Sequence, residues 1–131
     1  MKKCPKCKKN KNVMWFFDEI YRQEFMVIFA PNHKKFAQIL KEETGFVVEP
    51  CEEDCVAGQF NELKSKHGSL AVIWASDKNL VLLHEIFHAC SSVLKDRDIW
   101  LNPETEETYA YYYCYLYRTV MGKIREGRQT K

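Results

Sequence analysis

His84, Glu85 and His88 stand in the run His84-Glu85-Ile86-Phe87-His88, an HExxH spacing. On a helix, positions i and i+4 share one face, about 5–6 Å apart at Cβ. Two imidazoles so placed can hold one zinc ion, and the intervening glutamate can accept a proton from water at the metal. Because so short a motif recurs by chance, its surroundings carry the weight. It falls inside residues 78–95, which read as a helix crowded with Leu80, Val81, Leu82, Leu83, Ile86, Phe87, Ala89, Cys90, Val93 and Leu94. Ionisable groups in so apolar a helix need partners, since burying them unpaired is costly. A metal is one such partner. Backbone carbonyls accepting from two core histidines are the other.

A catalytic zinc takes three protein ligands and keeps one position open. Downstream of the motif the candidates for the third are Asp96, Asp98, Glu104, Glu106 and Glu107. Counting along the final helix from Glu107 reaches Ala110, Tyr111, Cys114 and Met121, with Arg118 the one charged member. The same count from Glu106 reaches Tyr109, Ala110, Tyr113 and Val120. Both stripes are apolar, and the count ranks Glu107 narrowly ahead of Glu106, with Glu104 third.

HEIFH followed by a glutamate on the next helix resembles the gluzincin metallopeptidases, the thermolysin group. His88 and Glu107 are nineteen positions apart, close to the separation in that group. HEIFHAC and, at 107–111, ETYAY also resemble small bacteriophage-encoded proteins with HE-x-x-HA and E-x-x-AY. The resemblance spans roughly residues 69–120 and leaves the N-terminal leader uncovered. It implies a zincin-like fold, Glu107 as the third ligand, peptide-bond hydrolysis at zinc with Glu85 as general base, and a phage or prophage origin in a host cytoplasm. One departure stands out. The group places an aspartate four residues after its ligand glutamate, where this chain has Tyr111, so the support of the first histidine must differ. The large second lobe of the thermolysin group is also missing, which implies a shallow cleft or one completed by a partner.

Six of the seven tyrosines, at 109, 111, 112, 113, 115 and 117, go round one helix. Such a ring packs a helix with hydroxyls reaching the surface, builds an interface, or offers one hydroxyl to an oxyanion at the metal. Tyr111 shares the Glu107 stripe and is the candidate for that last role. Cys4-Pro5-Lys6-Cys7 is a C-x2-C knuckle, and Cys51 and Cys55 form a C-x3-C pair. Together they could hold a second, structural zinc through four thiolates, which the neighbouring lysines favour. SprT-like metallopeptidases also pair HExxH with a four-cysteine element, but theirs follows the catalytic helix, the reverse of the order here. Cys90 and Cys114 read as core cysteines.

The elements that must position this constellation follow from patterning. Residues 13–30 carry two β-rich stretches around a polar Asp18–Glu24 region, a hairpin pattern. Residues 33–43 have helical spacing at Phe36, Ile39 and Leu40, with Gly45 as C-cap. Phe46–Val48 reads as a brief strand, and 51–68 as irregular with one short element near Phe60–Leu63. Residues 69–75 are a strand with Leu70, Val72 and Trp74 on one face and Ala71, Ile73 and Ala75 on the other. As an edge strand it could pair with a substrate peptide. Ser76 or Asp77 offers an N-cap to the helix that follows. Pro103 and the acidic residues after it suit the first turn of a last helix running to about Gly122 or a little beyond. Strands early and two long helices late make an α+β pattern, a short sheet packed on two C-terminal helices.

With 131 residues, 46% of them hydrophobic and 14% aromatic, the chain suits one folded domain, here 13–131, after a basic leader at 1–12. The leader carries +6 and residues 118–131 carry +4, while 13–117 carry −8. Basic ends can touch phosphates or simply stay solvated, so nucleic acid joins a peptide or protein substrate among the expected partners. The longest apolar runs, such as Phe25–Ala30, hold about six residues, against roughly twenty for a membrane span. No apolar h-region follows the basic start, so no secretory signal is expected and the expected address is cytoplasmic. That setting disfavours disulfides among the cysteines. Two functions compete: a small zinc metallopeptidase, and a non-catalytic zincin-like protein that binds a host or phage protein or nucleic acid. A pure binder has no need of an acid at position 85.

Overall fold

In the computed structural model, which describes residues 11–49 and 57–129, the first apolar stretch forms an antiparallel hairpin of β1 (Val13–Asp18) and β2 (Gln23–Phe29). Asp18 shapes its turn. One carboxylate oxygen accepts from the Ile20 N–H at 2.8 Å and the other from the Tyr21 N–H at 3.2 Å, the Asx habit of bonding backbone two or three residues on. Helix α1 (His33–Thr44) starts where Asn32 Oδ1 accepts from the Lys35 N–H at 2.8 Å. It stops at Gly45, whose φ of 82° is left-handed and whose N–H donates to Lys41 O at 2.8 Å.

A second antiparallel hairpin follows, β3 (Gly58–Ser65) with β4 (Gly68–Ala75). The sheet order is β1-β2-β4-β3, with β2 and β4 parallel. Helices α2 (Leu80–Asp96) and α3 (Glu106–Gln129) complete the chain. The period-2 alternation of β2 and β4 feeds two cores. Phe25, Val27, Ala71 and Ile73 pack with Leu82, Ile86, Ala89, Leu94, Leu116 and Val120 of α2 and α3. Met26, Ile28, Val72 and Trp74 pack on the other face with Phe36, Ile39 and Leu40 of α1. The chain is therefore α+β, a small mixed sheet with α2 and α3 on one face and α1 on the other. Among the described residues no helix is long and apolar enough to cross a membrane.

Four expectations from the sequence need correction. Residues 58–65 are a full strand rather than a short element, because β4 supplies a ladder for a segment whose own pattern is mostly polar. Phe46–Val48 is unpaired, and Val47 is exposed. The N-cap of α2 is Asn79, with no side-chain cap bond of its own, while Asp77 accepts from the Asn79 N–H at 2.8 Å. Finally, α3 begins only at Glu106. Pro103 lies in the turn before it, where Asn102 Oδ1 accepts from the Glu104 and Thr105 N–H groups at 2.8 and 3.1 Å.

Candidate metal centre

The apolar residues of α2 turn Leu82, Ile86, Ala89, Cys90, Val93 and Leu94 into the core, which leaves His84, Phe87 and His88 on the open side. The two histidines converge. Their Nε2 atoms are 3.0 Å apart and their ring centroids 4.7 Å. With both rings neutral, one nitrogen donates and the other accepts. Glu85 is rotated inward and is only 6% exposed. It packs where α2 meets the start of β3: a Cβ on Gly58 would stand 3.0 Å from Glu85 Cγ, 2.7 Å from Val81 Cγ1 and 2.8 Å from Trp74 O. Only glycine lets the strand pass so close. Burial raises the Glu85 carboxyl above its ordinary value, and the nearby His84 and His88 oppose that rise.

The acids named as candidates for the third ligand, Asp96, Asp98, Glu104, Glu106 and Glu107, are all exposed. Among the described residues, no group of three His, Cys, Asp or Glu side chains is placed to hold a metal. The inward face of α3 is Tyr109, Tyr112, Leu116, Val120 and Ile124. This corrects the stripe count. Ala110, Tyr111, Cys114 and Arg118, which follow Glu107, are exposed, and Tyr111 is 73% so. Cys114 is thus no core cysteine, whereas Cys90 is buried and its thiol is pushed up to about 12 by burial. Cys4, Cys7, Cys51 and Cys55 lie outside the described residues.

Tyr113 reaches the motif helix beside the turn that carries the histidines. Its hydroxyl donates to Leu83 O at 3.1 Å, and its ring lies 6.2 Å from that of Phe87. Tyr113 lies seven residues after Glu106, on the stripe that the count ranks second. Tyr112 donates to the buried Asp18 carboxylate at 2.6 Å and Tyr109 to Ile99 O at 2.7 Å. Three of the tyrosine hydroxyls therefore serve packing.

Sheet topology also moves the open edge. β4, the strand before the motif, is paired on both sides, and β3 is the edge strand beside α2. The two run along one another: Gly58 faces Val81 and Glu85, Phe60 faces His88, and Glu62 accepts from the Ser92 hydroxyl at 3.1 Å. Between them opens a cleft of about 510 Å³ lined by Phe60, His88, Ser91, Ser92, Lys95 and Asp96. Burial raises the Glu62 carboxyl, and the neighbouring Asp96 carboxyl adds to the rise, against Ser92 and Lys64. No family model, curated protein or solved structure matches the chain.

Proposed function

We propose that the chain is a minimal gluzincin-like metallopeptidase, with His84 and His88 holding zinc and Glu85 as general base. The observation that carries this reading is the convergence of the two Nε2 atoms at 3.0 Å. Two nitrogens on a tetrahedral zinc at about 2.0–2.1 Å stand roughly 3.3–3.4 Å apart. A shift of a few tenths of an ångström would therefore seat one ion between them. That ion would polarise a peptide carbonyl and make water acidic enough to deprotonate near neutral pH.

The protein's own groups do the rest. Glu85, fixed against Gly58, takes a proton from water and delivers it to the leaving amine. The open edge of β3 aligns an extended substrate through backbone hydrogen bonds. Glu107 is proposed as the third ligand and Glu106 as its competitor. Both stand in the first turn of α3, and substitution must decide between them. Cys4, Cys7, Cys51 and Cys55 are proposed as a separate structural zinc site.

The test pairs zinc content with hydrolysis of a peptide pool. Glu85→Gln should keep its zinc and lose at least about 10²-fold in rate, the lower end of general base catalysis. Glu107→Gln should lose zinc and activity together; if Glu106→Gln does so instead, the ligand is its neighbour. Full zinc in a His84→Ala, His88→Ala double variant, after any four-cysteine zinc is subtracted, would sink the reading. The same open edge also suits a protein that binds without cutting, and zinc-loaded wild type that holds peptides but cleaves none would favour that alternative.

A further inference from the structure

We propose that two copies of this chain share one zinc ion, His84 and His88 of each copy completing a four-nitrogen site across an antiparallel pair of α2 helices. This rests on the zinc-holding half of the reading above and is independent of hydrolysis. A tetrahedral ion takes four donors, and α2 supplies two. Both histidines are exposed, and their Nε2 atoms already converge to 3.0 Å. Among the described residues no third His, Cys, Asp or Glu is placed to join them. A second copy presents the donors that the first lacks, and it does so under the two-fold symmetry commonest among oligomers. Four nitrogens close the site, so the proposed hydrolysis belongs to the unpaired chain, where Glu107 and water take the other two positions.

The face around the histidines suits a copy of itself. Leu80, His84, Phe87 and Ser91 follow one another at intervals of four, three and four residues, the spacing by which one helix presents a seam to another. Leu80 is 79% exposed and Phe87 45%. A two-fold axis at position 86, midway between His84 and His88, sets His84 of each copy beside His88 of the other. Leu80 stands six residues before that axis and Ser92 six after. The second copy's Leu80 therefore reaches the cleft of about 510 Å³ that Phe60, Ser91 and Ser92 help to line, and the same fit recurs at the other end. Phe87 is one residue from the axis, so the two phenylalanines meet beside the ion. Asp77 lies nine residues before the axis and Lys95 nine after, and both are exposed. Antiparallel helices set these opposite charges together, whereas parallel ones would set like against like, so charge fixes the direction of the pair.

Analytical ultracentrifugation of the whole chain tests the shared ion, with zinc the only metal added. Zinc held by the four cysteines is counted on a His84→Ala, His88→Ala double variant and subtracted. Without added zinc the chain should sediment as a 15.6 kDa monomer. At half an equivalent of histidine-bound zinc it should sediment at twice that mass, with one such ion per two chains. The double variant should stay monomeric at every zinc level. Leu80→Glu keeps all four histidines and should weaken zinc-dependent pairing at least about tenfold, the lower worth of burying a leucine; it also serves if the double variant fails to fold. Monomers that each hold one histidine-bound zinc would overturn the sharing and leave the site of the reading above standing. No zinc on the histidines would remove both. A dimer that forms without zinc, one that survives loss of the histidines, or one that Leu80→Glu leaves unweakened would each overturn the arrangement.

Discussion

Gly58→Ala isolates the contact that sets strand β3 against the motif helix. The backbone at Gly58 lies outside the left-handed region, so the substitution acts through volume alone. The added methyl would meet Val81 Cγ1 at 2.7 Å, Trp74 O at 2.8 Å and Glu85 Cγ at 3.0 Å. A side chain can yield by rotating, but the Trp74 carbonyl belongs to the central strand β4, which is paired on both sides. The helix or the edge strand must therefore move, by about half an ångström or more. Overpacking of this kind costs about 1–3 kcal/mol. For a chain of 131 residues, each kcal/mol shifts Tm by roughly 3–5 °C, between the values for smaller and larger domains. Gly58→Ala should thus melt about 3–15 °C below wild type in a thermal scan followed by circular dichroism. Gly122→Ala is the control of opposite sign: it lies inside α3 with nothing within 4 Å of the new methyl. There alanine should stabilise by about 0.5–1 kcal/mol and raise Tm by roughly 2–5 °C. If Gly58→Ala melts within about 1 °C of wild type, the close approach of β3 to Glu85 is refuted and the placement of the proposed base goes with it.

Tyr112→Phe removes the donor to a fully buried Asp18 and should cost about 1–3 kcal/mol, read as a fall in urea midpoint; no fall would mean that the hairpin turn does not depend on α3. Glu62 gives a pH signature. Its carboxyl is raised by burial and then by Asp96, against Ser92 and Lys64, so the native state holds its proton more tightly than the unfolded chain. Stability from this group is complete below the ordinary glutamate value of 4.5 and is lost as pH rises through the raised one. Glu62→Gln should therefore match wild type in acid and gain on it towards neutral pH in urea titrations at several pH values. A constant difference across that range would contradict the assigned burial.

The elements legible from residue order were those whose signal is local. Asp18 and its neighbours marked a turn, Asn32 and Gly45 bracket α1, and Val72 and Trp74 alternate cleanly with Ala71 and Ile73. The strand β3 was hidden because GQFNELKS holds only two large apolar residues, and its reason for being a strand is β4. Phe46–Val48 misled for the converse reason, since an apolar triplet with no neighbouring strand stays unpaired. Which strand forms the edge was not legible, because the parallel pairing of β2 with β4 is decided across the whole sheet. The candidate site divides in the same way. The convergence of His84 and His88 follows from helical spacing alone. The bond from Tyr113 to Leu83 O and the inward face of α3 depend on how two helices pack, and a helix ringed with tyrosines gives a stripe count little contrast.

The bond from Tyr112 to Asp18 spans 94 residues, and Arg97 reaches back 76 residues to Tyr21 O at 2.5 Å. Both end in the turn of the first hairpin, so that turn is made early and completed last. On a ribosome adding roughly 5–20 residues per second, the interval is about 5–19 s. Throughout it Asp18 lacks its tyrosine, and Phe25 and Val27 lack the α3 residues that cover them. Non-local closure of this kind slows folding, and the waiting hairpin is the species most open to aggregation with other nascent chains.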